Sequence, residues 1–130
     1  MVRLLGAIEH HLRTFRLPAR IATVTVGSNS VDGEQVIVHL RPADLVGLAA
    51  ALLDWADTLT RITVAAWRPQ HGRTVHLNLT GQLPDTTSVM VFGGIDYTDA
   101  VFGDLQPDGR QGVALSVLRA WAAGETTVVA

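Results

Sequence analysis

The sequence contains no cysteine, and all ten of its basic residues are arginine, so lysine is absent too. The first absence removes disulfides, thiolate nucleophiles and cysteine metal sites together. The second removes the lysine of a phosphate-binding P-loop. Aromatics make up only 5% of the chain and charged residues 17%. The formal net charge of −2 gives no long-range attraction to nucleic acid or to an anionic membrane. No apolar run approaches the roughly 18 residues that a membrane-crossing helix needs. The opening "MVRLLGAIEHHLRTF" is broken by Glu9, His10 and His11 and has no small-residue cleavage pattern, so it does not read as a secretory leader.

What remains is a chain of 130 residues, 48% hydrophobic, sufficient to bury a core within one domain. The exclusive use of arginine, with abundant Ala, Val, Gly and Leu, fits translation from GC-rich DNA, as in an actinobacterium or its phages and mobile elements. A soluble cytoplasmic protein is expected.

Periodicity divides the chain. Val2, Leu5, Ile8, Leu12 and Phe15 recur at helical spacing, which predicts an amphipathic helix over 2–16 that stops at Leu17-Pro18. "RIATVTVGS" and "EQVIVHL" alternate as strands around the turn-rich "GSNSVDG". Leu45, Leu48, Leu52, Trp55 and Leu59 form one stripe, predicting a helix over 43–58 with Pro42 at its start and Asp44 in its first turn. "RITVAAW", "TVHLNLT" and "SVMVFGG" predict three further strands, and "GVALSVLRAWAAG" a final helix closed by Gly124. The fold class is therefore α+β: a single domain over 1–130 in the order α-β-β-α-β-β-β-α, with a mainly antiparallel sheet and helices on one face. Residues 124–130 are expected to form a frayed tail or a short edge strand. The run from 34 to 93 is similar in its order to several clamp-like and chaperone-like α+β modules, an analogy of fold that does not fix function.

The stretch "VFGGIDYTDAVFGD" over 91–104 comes nearest to a functional motif. With Asp108, its aspartates Asp96, Asp99 and Asp104 place four carboxylates within thirteen residues, yet the spacing is not that of a calcium loop. Capping explains them better: Asp96 with Asp99 would start a helical turn over 97–102 ending at Gly103, and Asp108 with Gln111 would start the last helix at Gly109. Gly93-Gly94 would release the chain from the sheet. No metal site and no cofactor are expected, and no catalytic residue is assigned.

Three functional readings follow. By strand parity Thr63, Trp67, His76, Asn78, Met90 and Phe92 share the sheet face turned away from the helices, together with Thr23, Thr25 and Ala65. That mixture of aromatic, thioether and hydrogen-bonding groups is the composition of a contact surface. The leading expectation is thus a non-enzymatic protein–protein interaction module that self-associates through this face or along an exposed edge strand, with a separate protein partner as a further option. The second is a nucleic-acid-binding protein that uses Arg61, Arg68 and Arg73 in the hairpin around Trp67; no RNP pattern supports it. The third is a small-ligand binder or enzyme with His39 and His76 in a pocket. No membrane partner is expected.

Overall fold

In a computed structural model, residues 2–15, 21–29 and 33–125 are described; the predicted stop at Leu17-Pro18 and most of the tail lie outside them. The elements are α1 (Val2–Phe15), β1 (Ile21–Asn29), β2 (Gly33–Leu40), α2 (Leu45–Ala56), β3 (Thr60–Trp67), β4 (Thr74–Gln82), β5 (Ser88–Asp96), α3 (Asp99–Phe102), β6 (Arg110–Gly112) and α4 (Leu115–Ala122). This is an α+β fold built on one six-stranded sheet in the order β1-β2-β5-β4-β3-β6. Every neighbouring pair is antiparallel except β2 and β5. None of the described helices is long and apolar enough to cross a membrane.

Alternation along the strands makes the sheet two-faced. Val36, Val38 and Leu40 of β2, Val64 and Ala66 of β3, Val75, Leu77 and Leu79 of β4, and Val89 and Val91 of β5 are buried on one face. The helices cover that face. In α2, Leu48, Leu52 and Trp55 point inward from one stripe, and Asp44 caps its N-terminus by accepting a hydrogen bond from the Gly47 amide at 2.8 Å. Asp44 is thus the cap itself and not part of the first turn, and the helix begins two residues later than its spacing predicts. Against α2 lies α4, whose Leu118 and Trp121 are fully buried; Trp121 meets Phe102 edge-on at 5.7 Å between centroids. After α4, Gly124 takes φ 81, and the Gly124 and Glu125 amides donate to the carbonyls of Trp121 and Ala120, the bond pair of a Schellman stop.

Helix α1 is rotated relative to the stripe read from its sequence. Leu4, Ile8 and His11 are buried, whereas Leu5 and Phe15 are exposed. His11 docks the helix onto α2: its Nε2 lies 2.8 Å from the Thr58 hydroxyl and its ring stacks on Trp55 at 5.8 Å. Burial lowers the pKa of His11 below its usual value, since the charged ring would lose its hydration, and the neighbouring His10 acts in the same direction.

The "VFGGIDYTDAVFGD" stretch and the Asp108 that follows it depart from expectation in three places. β5 does not end at Gly93-Gly94 but continues to Asp96, with Gly93 opposite Leu77 and Gly94 opposite His76. A Cβ on Gly93 would stand 2.6 Å from Leu48 Cδ1, so this glycine lets α2 lie close on the sheet. Asp96 therefore stays in the strand, and Thr98 occupies the N-cap position of α3, which ends at Gly103 with φ 61. Asp108 caps nothing. It takes φ 64 in a turn, and the residues that would have opened the last helix form β6 against β3, Arg110 opposite Trp67. α4 starts only after Val113 has bonded through its amide to the Val64 carbonyl.

Candidate interaction face

The side chains opposite the core alternate with it along β2, β3, β4 and β5, and none of the described helices packs over them. Cross-strand register sets them in transverse rows. His39, Phe92, Asn78 and Ala65 form one row across β2, β5, β4 and β3. Ile37, Met90, Thr80 and Thr63 form the next, with the Thr63 and Thr80 hydroxyls bonded at 2.5 Å. Gly94, His76, Trp67 and Arg110 form a third. All six predicted face residues, Thr63, Trp67, His76, Asn78, Met90 and Phe92, stand in these rows. Thr63 is exposed and the other five are half-buried.

Running obliquely through the rows is a ladder of rings. His39 stacks on Phe92 at 4.5 Å with an interplanar angle of 2°. Phe92 stacks on His76 at 5.8 Å and 8°. His76 meets Trp67 edge-on at 5.4 Å, and the Arg110 guanidinium lies 5.6 Å from the Trp67 ring centroid. Trp67 Nε1 points to the Asp108 carboxylate at 3.4 Å, which orients the indole. Because Phe92 sits on the strand between those of the two histidines, both of its faces are engaged. Within the ladder, neighbouring rings engage both faces of Phe92 and one face of His39.

The ladder also decides what the histidines can do. β2 and β4 are two strands apart, so His39 and His76 are separated by roughly 10 Å of sheet with Phe92 between them. One metal ion bonded at about 2 Å from each nitrogen could not bridge them. Among the described residues no group of three or more His, Asp or Glu converges. His76 has its pKa lowered, first by burial against Phe92 and Trp67 and then by the nearby His39 and His71.

The hairpin arginines do not form a patch. Arg61 sits at the register shift in β3 with φ 53, while Arg68 and Arg73 flank the turn at the strand's other end, roughly 23 Å away for seven extended residues. Arg68 is occupied inside the protein: its guanidinium lies 3.5 Å over Tyr97, Nε donates to the Gly72 carbonyl at 2.9 Å and Nη1 to the Leu105 carbonyl at 2.6 Å. Arg61 and Arg73 are exposed.

Two members of the face, Ile37 and Arg110, escape a strand-by-strand reading, and a third, His39, stands where strand parity puts it but gains a partner that parity does not announce. Ile37 lies inside the continuous run "VIV", where only strict parity separates it from its buried neighbours. The partner of His39 is Phe92, on a parallel strand more than fifty residues on. Arg110 belongs to β6, whose three residues carry no alternation. Together these observations define a one-sided α+β protein whose open sheet face is ordered by stacked rings. No family model, curated protein or solved structure matches the chain.

Proposed function

We propose that this chain is a non-enzymatic protein–protein contact module that self-associates through its open sheet face. The observation that carries the reading is the ring ladder His39–Phe92–His76–Trp67–Arg110 on a face left bare by the described helices. Its rings are held by one another and by Asp108, so docking would immobilise little further side-chain freedom. Among the described residues the charged groups on this face stand at its margin, at Asp96, Asp108 and Arg110, and no Arg, Asp or Glu stands in the rows through Phe92 and Met90. A second copy presents the same half-apolar surface with charges of both signs at its margin, which suits an isologous contact about a two-fold axis. Base stacking is a poorer match, because it needs exposed ring faces and both faces of Phe92 are engaged within the ladder. On this reading the module would work in the cytoplasm of a GC-rich bacterium, an origin that the arginine-only basic residues support through codon usage.

Sedimentation velocity from micromolar to near-millimolar concentration tests the reading. The wild-type chain is expected to form a dimer or larger oligomer, and Trp67→Ser with Phe92→Ser to lower its state of association by the contact this face supplies, while the far-ultraviolet circular dichroism is unchanged. A wild-type chain that stays monomeric throughout, with no protein co-purifying, removes the basis of the proposal.

A further inference from the structure

The two edges of the sheet are built differently. At the β3 edge, β6 covers only Ala65–Trp67, and the Val113 amide extends the cover to the Val64 carbonyl. The uncovered remainder of β3 carries a register shift between Thr60 and Thr63, and within it the charged Arg61 at φ 53. A short outer strand, a kink and a charge are the devices by which native sheets discourage further pairing. The β1 edge has none of them over most of its length. Its nine residues, IATVTVGSN, include no charge and no proline, and its one irregularity lies at the start, between Ile21 and Thr23. No described strand pairs with its outer side. On the helix side of the sheet, Val24 and Val26 remain half-exposed, although Val38 and Val36 opposite them are fully buried. The apolar layer thus runs onto the last strand, where the described residues cover it only in part.

We propose that β1 pairs antiparallel with β1 of a second copy, joining two six-stranded sheets across a two-fold axis normal to the sheet. This contact lies along the edge and is independent of the open face. The axis keeps both helix layers on the same side, so opposed residues must have the same parity. The sequence meets that demand because "TVTVG" is nearly symmetric about Thr25. With Thr25 on the axis, Thr25 opposes Thr25, and Val24 opposes Val26 of the second copy, closing the half-exposed valines against each other. With Val24 on the axis, Val24 opposes Val24 and Thr23 opposes Thr25. Either register sets valine against valine on the helix side and threonine against threonine on the other, pairings that favour sheets, and neither opposes like charges.

The absence of cysteine makes the test clean. Thr25→Cys and Val24→Cys are made singly, with Gly112→Cys on the opposite edge as control, since a side chain there meets nothing within 4 Å. Opposed residues on the axis are close enough for a disulfide, so one of the two β1 variants is expected to give a linked dimer under mild oxidation at least about tenfold faster than Gly112→Cys. Adding Phe92→Ser is expected to leave that linkage intact even if the face contact is lost. In parallel, amide exchange over 21–29 is expected to slow as concentration rises. The proposal is overturned if neither variant links faster than the control, or if Phe92→Ser abolishes the linkage. It is also overturned if β1 exchange does not depend on concentration, whether it is fast throughout or already protected within the single chain.

Discussion

The two faces of the sheet share one backbone and differ in what each side chain is asked to do. On the helix side Val36, Val38, Val75, Leu77, Leu79, Val89 and Val91 have essentially no exposed surface. On the other side Ile37, Met90, Phe92, His76 and Trp67 come from the same strands, often from the next residue, and keep part of their surface in water. An ordinary solvated face would carry charges and hydroxyls opposite such a core. This one carries thioether, rings and hydroxyls, and holds the rings rigid without helix cover. The difference separates residues buried beneath the helices from residues whose rings are ordered by one another at the surface, the set that the proposed contact would use.

Substitution should expose that division, most strongly at neighbouring positions of opposite parity. Leu77→Ala removes a fully buried side chain beneath α2 and is expected to cost about 3 kcal/mol in urea unfolding. Phe92→Ser, on the open face, is expected to cost about 1 kcal/mol, mainly its ring stacking, while weakening self-association. Similar losses of stability at the two positions would break the comparison. Gly93 and Gly94 sharpen it within one dipeptide. Gly93→Ala drives a Cβ toward Leu48 and is expected to cost about 2 kcal/mol. At Gly94 a new Cβ meets nothing within 4 Å, so Gly94→Ala is expected to change stability by less than about 0.5 kcal/mol.

Acid should act on both faces through their histidines. His11 and His76 have folded pKa values below 6.5, so as pH falls the unfolded chain takes up these protons before the folded one does. The stability they allow is complete above about pH 6.5 and is lost progressively as pH falls toward their folded values. The melting temperature is expected to be level above neutrality in this respect and to decline below pH 6.5, with a shallower decline in His11→Gln. A slope unchanged in that variant would mean that His11 is not the group responsible. The smallest effect concerns the turn after β4. The Thr87 hydroxyl is buried and has no hydrogen-bond partner, so Thr87→Val is expected to be neutral or to stabilise by up to about 1 kcal/mol in the same unfolding experiment.

The open face was legible because strand periodicity is two: Thr63, Trp67, His76, Asn78, Met90 and Phe92 follow from counting alternate residues. The α2 stripe was legible for the corresponding helical reason. What stayed hidden depends on contacts distant in sequence. The parallel pairing of β2 with β5 brings His39 onto Phe92, and no local pattern announces it. The glycines at 93 and 94 resemble a strand end until Leu48 is placed above the first of them. Asp108 has the spacing of a cap, but β3 offers an edge to the residues that follow, and strand pairing takes them. His11 had a local signal that residue type concealed: Leu4, Ile8 and His11 fall at i, i+4 and i+7, one stripe of a helix, and a histidine with a hydroxyl partner can be buried there.

The central claim, that the open face is a contact surface, is tested most directly by hydroxyl-radical footprinting of Trp67, Met90 and Phe92 across a concentration series. The account predicts that all three become protected together as concentration rises, while the exposed Leu5 and Val46 on the helix side keep their reactivity. Reactivity of Trp67, Met90 and Phe92 that stays constant across a range in which the chain associates would contradict it.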